Sequence, residues 1–164
     1  MRQQTCACIL LNQSRSRGGG HDTSAAVRLL DRGDRVNDIL VVDDDALTRS
    51  LVSDWLAEAG YRVRQAEDGE AALALLRAEP VRLLITDMQM PRLSGAETLA
   101  IVRRELPTLR VIAMSAAFGS RKTPSTGTAL ALGACRVLAK PFTYNDLLTV
   151  VREVLHSAQT DAFR

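Results

Sequence analysis

From residue 38 onward the chain alternates between two kinds of hydrophobic pattern. Five short runs rich in apolar residues come first: Ile39-Leu40-Val41-Val42, Arg62-Val63-Arg64, Leu83-Leu84-Ile85, Val111-Ile112-Ala113-Met114 and Arg136-Val137-Leu138-Ala139. Their length and their polar or glycine borders predict strands. Between them lie stripes at helical spacing. Leu51, Val52, Trp55, Leu56 and Ala59 form one, and Leu99, Val102 and Leu106 another. Tyr144, Leu147, Leu148, Val151, Val154 and Leu155 form a third. Ser94-x-x-Glu97 and Thr143-x-x-Asp146 read as capping boxes opening the third and fifth helices, while Pro80 and Pro107 close the second and third. The fourth helix has the least support. Phe118 to Gly127 is polar and loop-like, which confines that helix to Thr128–Leu132.

Five β-α repeats of this kind imply an α/β fold. Strands that are continuous apolar runs are buried on both faces, so the sheet is parallel, with right-handed crossovers placing helices on either side. The expected architecture is a doubly wound, five-stranded parallel sheet.

Residues 1–36 depart from this order. They carry Gly18-Gly19-Gly20, scattered Ser, Arg and Asp, and one apolar patch from Ala25 to Leu30. That is the composition of a flexible extension. Two readings stand: a genuine N-terminal extension, or upstream sequence from a mis-assigned start, with Val36 as the alternative. The same segment holds six Arg against three Asp, whereas residues 37–164 hold 15 basic and 16 acidic side chains. The folded part therefore offers no general basic surface, and no nucleic-acid partner is expected. No apolar run approaches the roughly 18 residues of a membrane span, and Cys6 to Leu11 is too short for a signal-peptide core. A cytoplasmic protein without membrane attachment is expected. Three cysteines argue against a disulfide framework.

Charge matters most where the strands end. Asp43-Asp44 follow the first strand, Asp87 the third, Ser115 the fourth and Lys140 the fifth. In an open parallel sheet the functional crevice lies at the carboxyl ends of the strands. Each residue alone has an ordinary structural explanation, but their coincidence at one edge does not. Clustered carboxylates repel one another and call for a cation, and all-oxygen ligands favour Mg²⁺ or Mn²⁺. A carboxylate can attack phosphorus, and a lysine with the cation would neutralise the incoming phosphoryl oxygens. A Ser hydroxyl can donate to one of those oxygens.

The segments ILVVDDDALTRSLV, LLITDMQMPRLSG, VIAMSA and VLAKPF, in this order and spacing, resemble the receiver domain of two-component response regulators. The resemblance covers about residues 38–157. It implies a receiver domain at 37–158 with a short tail at 159–164, and a flavodoxin-like (βα)5 fold in strand order 2-1-3-4-5. It further implies Asp87 as phosphoacceptor, Asp43 and Asp44 as the acidic metal pair and the Gln89 carbonyl as a further ligand to Mg²⁺. Ser115 matches the switch hydroxyl, Lys140 the family's lysine, and Lys140-Pro141 a cis peptide bond. Asp45 is left as a helix-start residue. One departure concerns Val137, which stands three residues before the lysine where many members carry Tyr or Phe. A signal would then leave through the 116–128 segment, with Gly119 and Gly127 as hinges, rather than through a turning ring.

The implied function is a stand-alone response regulator, not an enzyme in its own right. It takes a phosphoryl group from a sensor histidine kinase or a histidine phosphotransfer protein, labels itself from small donors, dephosphorylates itself, and is read by a downstream protein target. Two rivals are weaker. A haloacid-dehalogenase-type phosphatase needs Thr or Val where Leu47 stands, and a degenerate binding scaffold usually lacks one of the four key groups, all present here.

Overall fold

A computed structural model describes residues 38–116 and 126–156. The expectations for residues 1–36, for Phe118 and Gly119, and for the tail lie outside the described residues. The domain limits placed at 37 and 158 lie there too. The strands are β1 (Asp38–Val42), β2 (Arg62–Ala66), β3 (Leu83–Asp87), β4 (Arg110–Ala116) and β5 (Arg136–Lys140). The helices are α1 (Ala46–Glu58), α2 (Gly69–Ala78), α3 (Gly95–Glu105), α4 (Thr126–Ala131) and α5 (Tyr144–His156). All strand pairs are parallel, in order β2-β1-β3-β4-β5. The expected doubly wound, flavodoxin-like sheet is the one that forms.

Alternation of side chains along each strand divides the core in two. Leu40, Val42, Leu84, Val111 and Ala113 face Leu73 and Leu76 of α2, Leu99 and Val102 of α3, and Ala129 of α4. Ile39, Val41, Leu83, Ile85, Ile112 and Met114 face Val52 and Leu56 of α1 and Leu147, Leu148, Val151 and Val154 of α5. The strands with unbroken apolar runs, β1, β3 and β4, are the central ones, whereas edge strands β2 and β5 are only partly covered.

Three details differ from the sequence pattern. Leu51 belongs to the apolar stripe of α1 yet is 48% exposed, on the outward side with Leu47. The helix meets a single sheet face, which buries Val52, Ser53 and Leu56 and partly covers Trp55. α3 stops at Glu105, so Leu106 caps it and packs against the core from outside the helix. Finally, α4 begins at Thr126 and takes in Gly127, which the sequence assigned to the preceding loop as a hinge.

Both capping boxes form. Ser94 Oγ accepts from the Glu97 N–H at 3.3 Å while Glu97 accepts from the Ser94 N–H at 2.9 Å. Thr143 and Asp146 repeat the arrangement at 3.3 and 2.9 Å.

Candidate functional site

Parallel pairing in register carries the strand ends to one rim. Val42 lies opposite Thr86, Asp87 opposite Met114, and Ser115 opposite Ala139. Asp43, Asp87, Ser115 and Lys140 therefore meet although up to 97 residues separate Asp43 from Lys140. Asp43 and Asp87 are buried, and so is Ser115 near the end of β4, whereas Asp44 is exposed.

Lys140 is the hub. Its Nζ donates to Asp43 Oδ2 at 2.7 Å and lies 3.2 Å from Asp87 Oδ1. Burial disfavours the Lys140 charge, but the Asp43 hydrogen bond and the Asp87 charge outweigh it and raise the lysine above its ordinary range. Burial pushes the Asp87 carboxyl up, Lys140 pulls it back, and the Asp43 charge adds to the rise. The upward effects win. The Gln89 backbone, two residues on, also works against the rise of the Asp87 carboxyl. The Lys140-Pro141 bond is cis, as expected.

Asp43, Asp44 and Asp87 can each present an oxygen within 4.8 Å of the other two. At that separation two buried carboxylates repel by about 3 kcal/mol for an effective dielectric near 20. An all-oxygen set of this kind fits a hard divalent cation such as Mg²⁺. Asp45 is excluded from the set because it caps α1, accepting from the N–H groups of Leu47 and Thr48, both at 3.2 Å. Asp43 Oδ1 also takes the Asp45 N–H at 2.9 Å, which fixes the turn between β1 and α1.

Sequence reasoning missed two neighbours, Arg49 and Gly95, and placed a third, Trp55, only on the apolar stripe of the first helix. Arg49 Nη1 donates to the Asp43 carbonyl at 2.6 Å, tying α1 to the end of β1. Its signal was an arginine close to a helix N-terminus, where the macrodipole disfavours a cation. Gly95 packs so closely that an added Cβ would fall 2.0 Å from the Asp87 carbonyl oxygen. The glycine closing the LSG segment was the only hint. Trp55 meets Phe142 and Tyr144 edge-on, with ring centroids 6.5 and 6.0 Å away, so it touches the turn that follows Lys140.

The sequence model described as response regulator receiver domain matches residues 39–152. The transcriptional regulatory protein CpxR of Klebsiella pneumoniae is 40% identical over 120 residues, covering 73% of this chain and 50% of CpxR. The chain thus spans about half the length of that curated relative. The receiver domain of NtrX from Brucella abortus is matched with a TM-score of 0.69 and 32% identity, over 74% of this chain and all of that one. Chemotaxis protein CheY4 of Vibrio cholerae is matched with a TM-score of 0.65 and 31% identity, over 72% and 98% of the two chains. With the sheet order, the acidic rim and these similarities in agreement, the chain belongs to the response regulator receiver domain family.

Proposed function

We propose that Asp87 accepts a phosphoryl group in a Mg²⁺-dependent transfer and that the phosphorylated form is read by a protein partner. The observation that carries this reading is the Lys140 ammonium held between Asp43 and Asp87 at the strand ends. Asp43, Asp44, Asp87 and the Gln89 carbonyl would hold the cation, which supplies positive charge to the phosphoryl oxygens when bound. Lys140 supplies further charge from the end of β5. An Asp87 carboxylate oxygen forms the O–P bond as the donor's P–N bond to histidine, or P–O bond to a small acyl phosphate, breaks. Ser115, buried on the neighbouring strand, is the hydroxyl that donates to a phosphoryl oxygen once it arrives.

The donor in this reading is a sensor histidine kinase or a histidine phosphotransfer protein, and the setting is the cytoplasm. Among the described residues no helix is long and apolar enough to cross a membrane. The test is incubation with acetyl phosphate and Mg²⁺, followed by intact mass. One added phosphoryl group is expected, lost in Asp87→Asn and on chelation. Full labelling of Asp87→Asn would overturn the assignment.

A further inference from the structure

The connection from β3 to α3 runs from Met88 to Ser94 and carries Gln89. Its side chains alternate in role. Met88 and Met90 are buried, Gln89 between them is exposed, and Leu93 packs against the core. Arg92 sits in this connection with φ at 64°, the only described non-glycine residue with a positive φ. An L side chain adopts that region reluctantly, and glycine or asparagine is the usual occupant. Something must hold the arginine there.

The partner is Asp68, whose carboxylate pairs with Arg92 Nη2, with Glu67 a further 3.9 Å neighbour of the same guanidinium. Asp68 is only 3% exposed and has a second duty. It caps α2, its Oδ1 accepting from the Ala71 N–H at 2.8 Å. A buried carboxylate needs partners for both oxygens, and here one is the helix end and the other Arg92. The next residue completes the contact. A Cβ on Gly69 would fall 2.1 Å from Thr98 Oγ1 and 2.9 Å from Leu93 Cδ2, so the start of α2 lies directly on the end of this connection.

We propose that Arg92 is a positioning residue for the cation site. Its ion pair with Asp68 fixes the backbone of residues 88–94, and with it the Gln89 carbonyl, so that metal affinity depends on a pair that touches neither metal nor phosphate. This inference rests on the cation site proposed above. Outer-shell contacts of this kind tune affinity by orienting the groups that bind.

Calorimetric Mg²⁺ titration of the unphosphorylated full chain tests it, alongside melting temperature in chelator. Arg92→Gly suits the positive φ but removes the guanidinium, and Asp68→Asn keeps the helix cap but removes the charge. Each is expected to weaken Mg²⁺ binding by about tenfold, read beside the metal-free melting temperature of the same variant, because Arg92→Gly relieves the positive φ but leaves one buried Asp68 oxygen unpaired. The double variant should lose no more than either alone. Arg92→Lys should retain most of the affinity. If Arg92→Gly binds Mg²⁺ like wild type while Asp44→Ala does not, the positioning role is wrong and the cation site stands. If wild type binds no better than Asp44→Ala, the site reading fails and the positioning role with it. Additive losses in the double variant would also overturn the coupling.

Discussion

The two ends of the sheet handle charge in opposite ways. At the carboxyl rim, Asp43 and Asp87 are buried side by side with one lysine between them. At the far end and along the flanks, acids and bases meet in separate exposed pairs. Arg77–Glu105 joins α2 to α3 at 3.0 Å, and Arg136–Glu153 joins β5 to α5 at 3.4 Å. Such exposed pairs contribute at most about 1 kcal/mol each. Arg103 at that end donates to the Pro107 and Leu109 carbonyls at 3.0 and 2.8 Å, closing the turn between α3 and β4. One end spreads its charges over separate pairs of opposite sign. The other concentrates like charge in a confined space, which is the electrostatic basis of the proposed cation site.

The largest expected effect breaks the rim outright. Asp87→Asn should abolish labelling by acetyl phosphate while leaving stability unchanged or higher, since it removes one of two buried like charges. The sign follows from the raised Asp87 carboxyl: its ionised form costs stability above that raised value, and Asn resembles the neutral form. Denaturant unfolding of the variant checks this, and a clear loss of stability would contradict a rim that opposes folding.

The far end should respond the other way. Gly133 has φ at 101°, and a Cβ there would fall 2.6 Å from Arg103 Nε. Gly133→Ala is therefore expected to cost about 2–4 kcal/mol in backbone strain and crowding, with the rate of phosphorylation nearly unchanged. Equal losses of stability and labelling would show that the two ends are not separable.

Lys140→Met comes next. It leaves Asp43 and Asp87 without their shared cation, and about 2 kcal/mol of metal-free stability should go with it, below the cost for a fully buried pair because the ammonium is partly exposed. Mg²⁺ should raise the melting temperature of this variant more than that of wild type. Trp55 fluorescence offers a second readout, since its ring packs on Phe142 just beyond Lys140.

The smallest effect sharpens the comparison through pH. Glu97 is held below its ordinary range by the Ser94 hydroxyl, and Asp146 by the Thr143 hydroxyl. A depressed carboxyl stabilises the fold above its unfolded value and loses that contribution as pH falls through the folded one. Ser94→Ala should cost about 1 kcal/mol near neutrality, and the gap to wild type should narrow in acid. Protonating Asp87 acts with the opposite sign. A Ser94→Ala deficit that widens in acid would reverse this assignment.

Most of the frame was legible because it rests on local periodicity. Unbroken apolar runs marked β1, β3 and β4 as central, and the two capping boxes marked the starts of α3 and α5, since each signal involves residues within a few positions of one another. The polar residue at or near the end of four of the five strands was equally visible, and parallel topology converts that pattern into a common rim. Distances were another matter. Position along the chain assigned Asp45 to the helix start, but only the fold shows that Asp43 reaches Lys140 while Asp45 takes the N–H groups of α1. Leu51 satisfies the helical stripe and still faces outward, because the sheet covers only a narrow face of α1. Arg49, and the pairing of Arg92 with Asp68, were also beyond a linear reading. The sequence by itself determined which segments become strands and helices and which chemical groups end the strands, because those depend on neighbours along the chain. Only the tertiary structure decided which charges are buried together and which residues hold them, because that depends on packing between segments far apart in sequence.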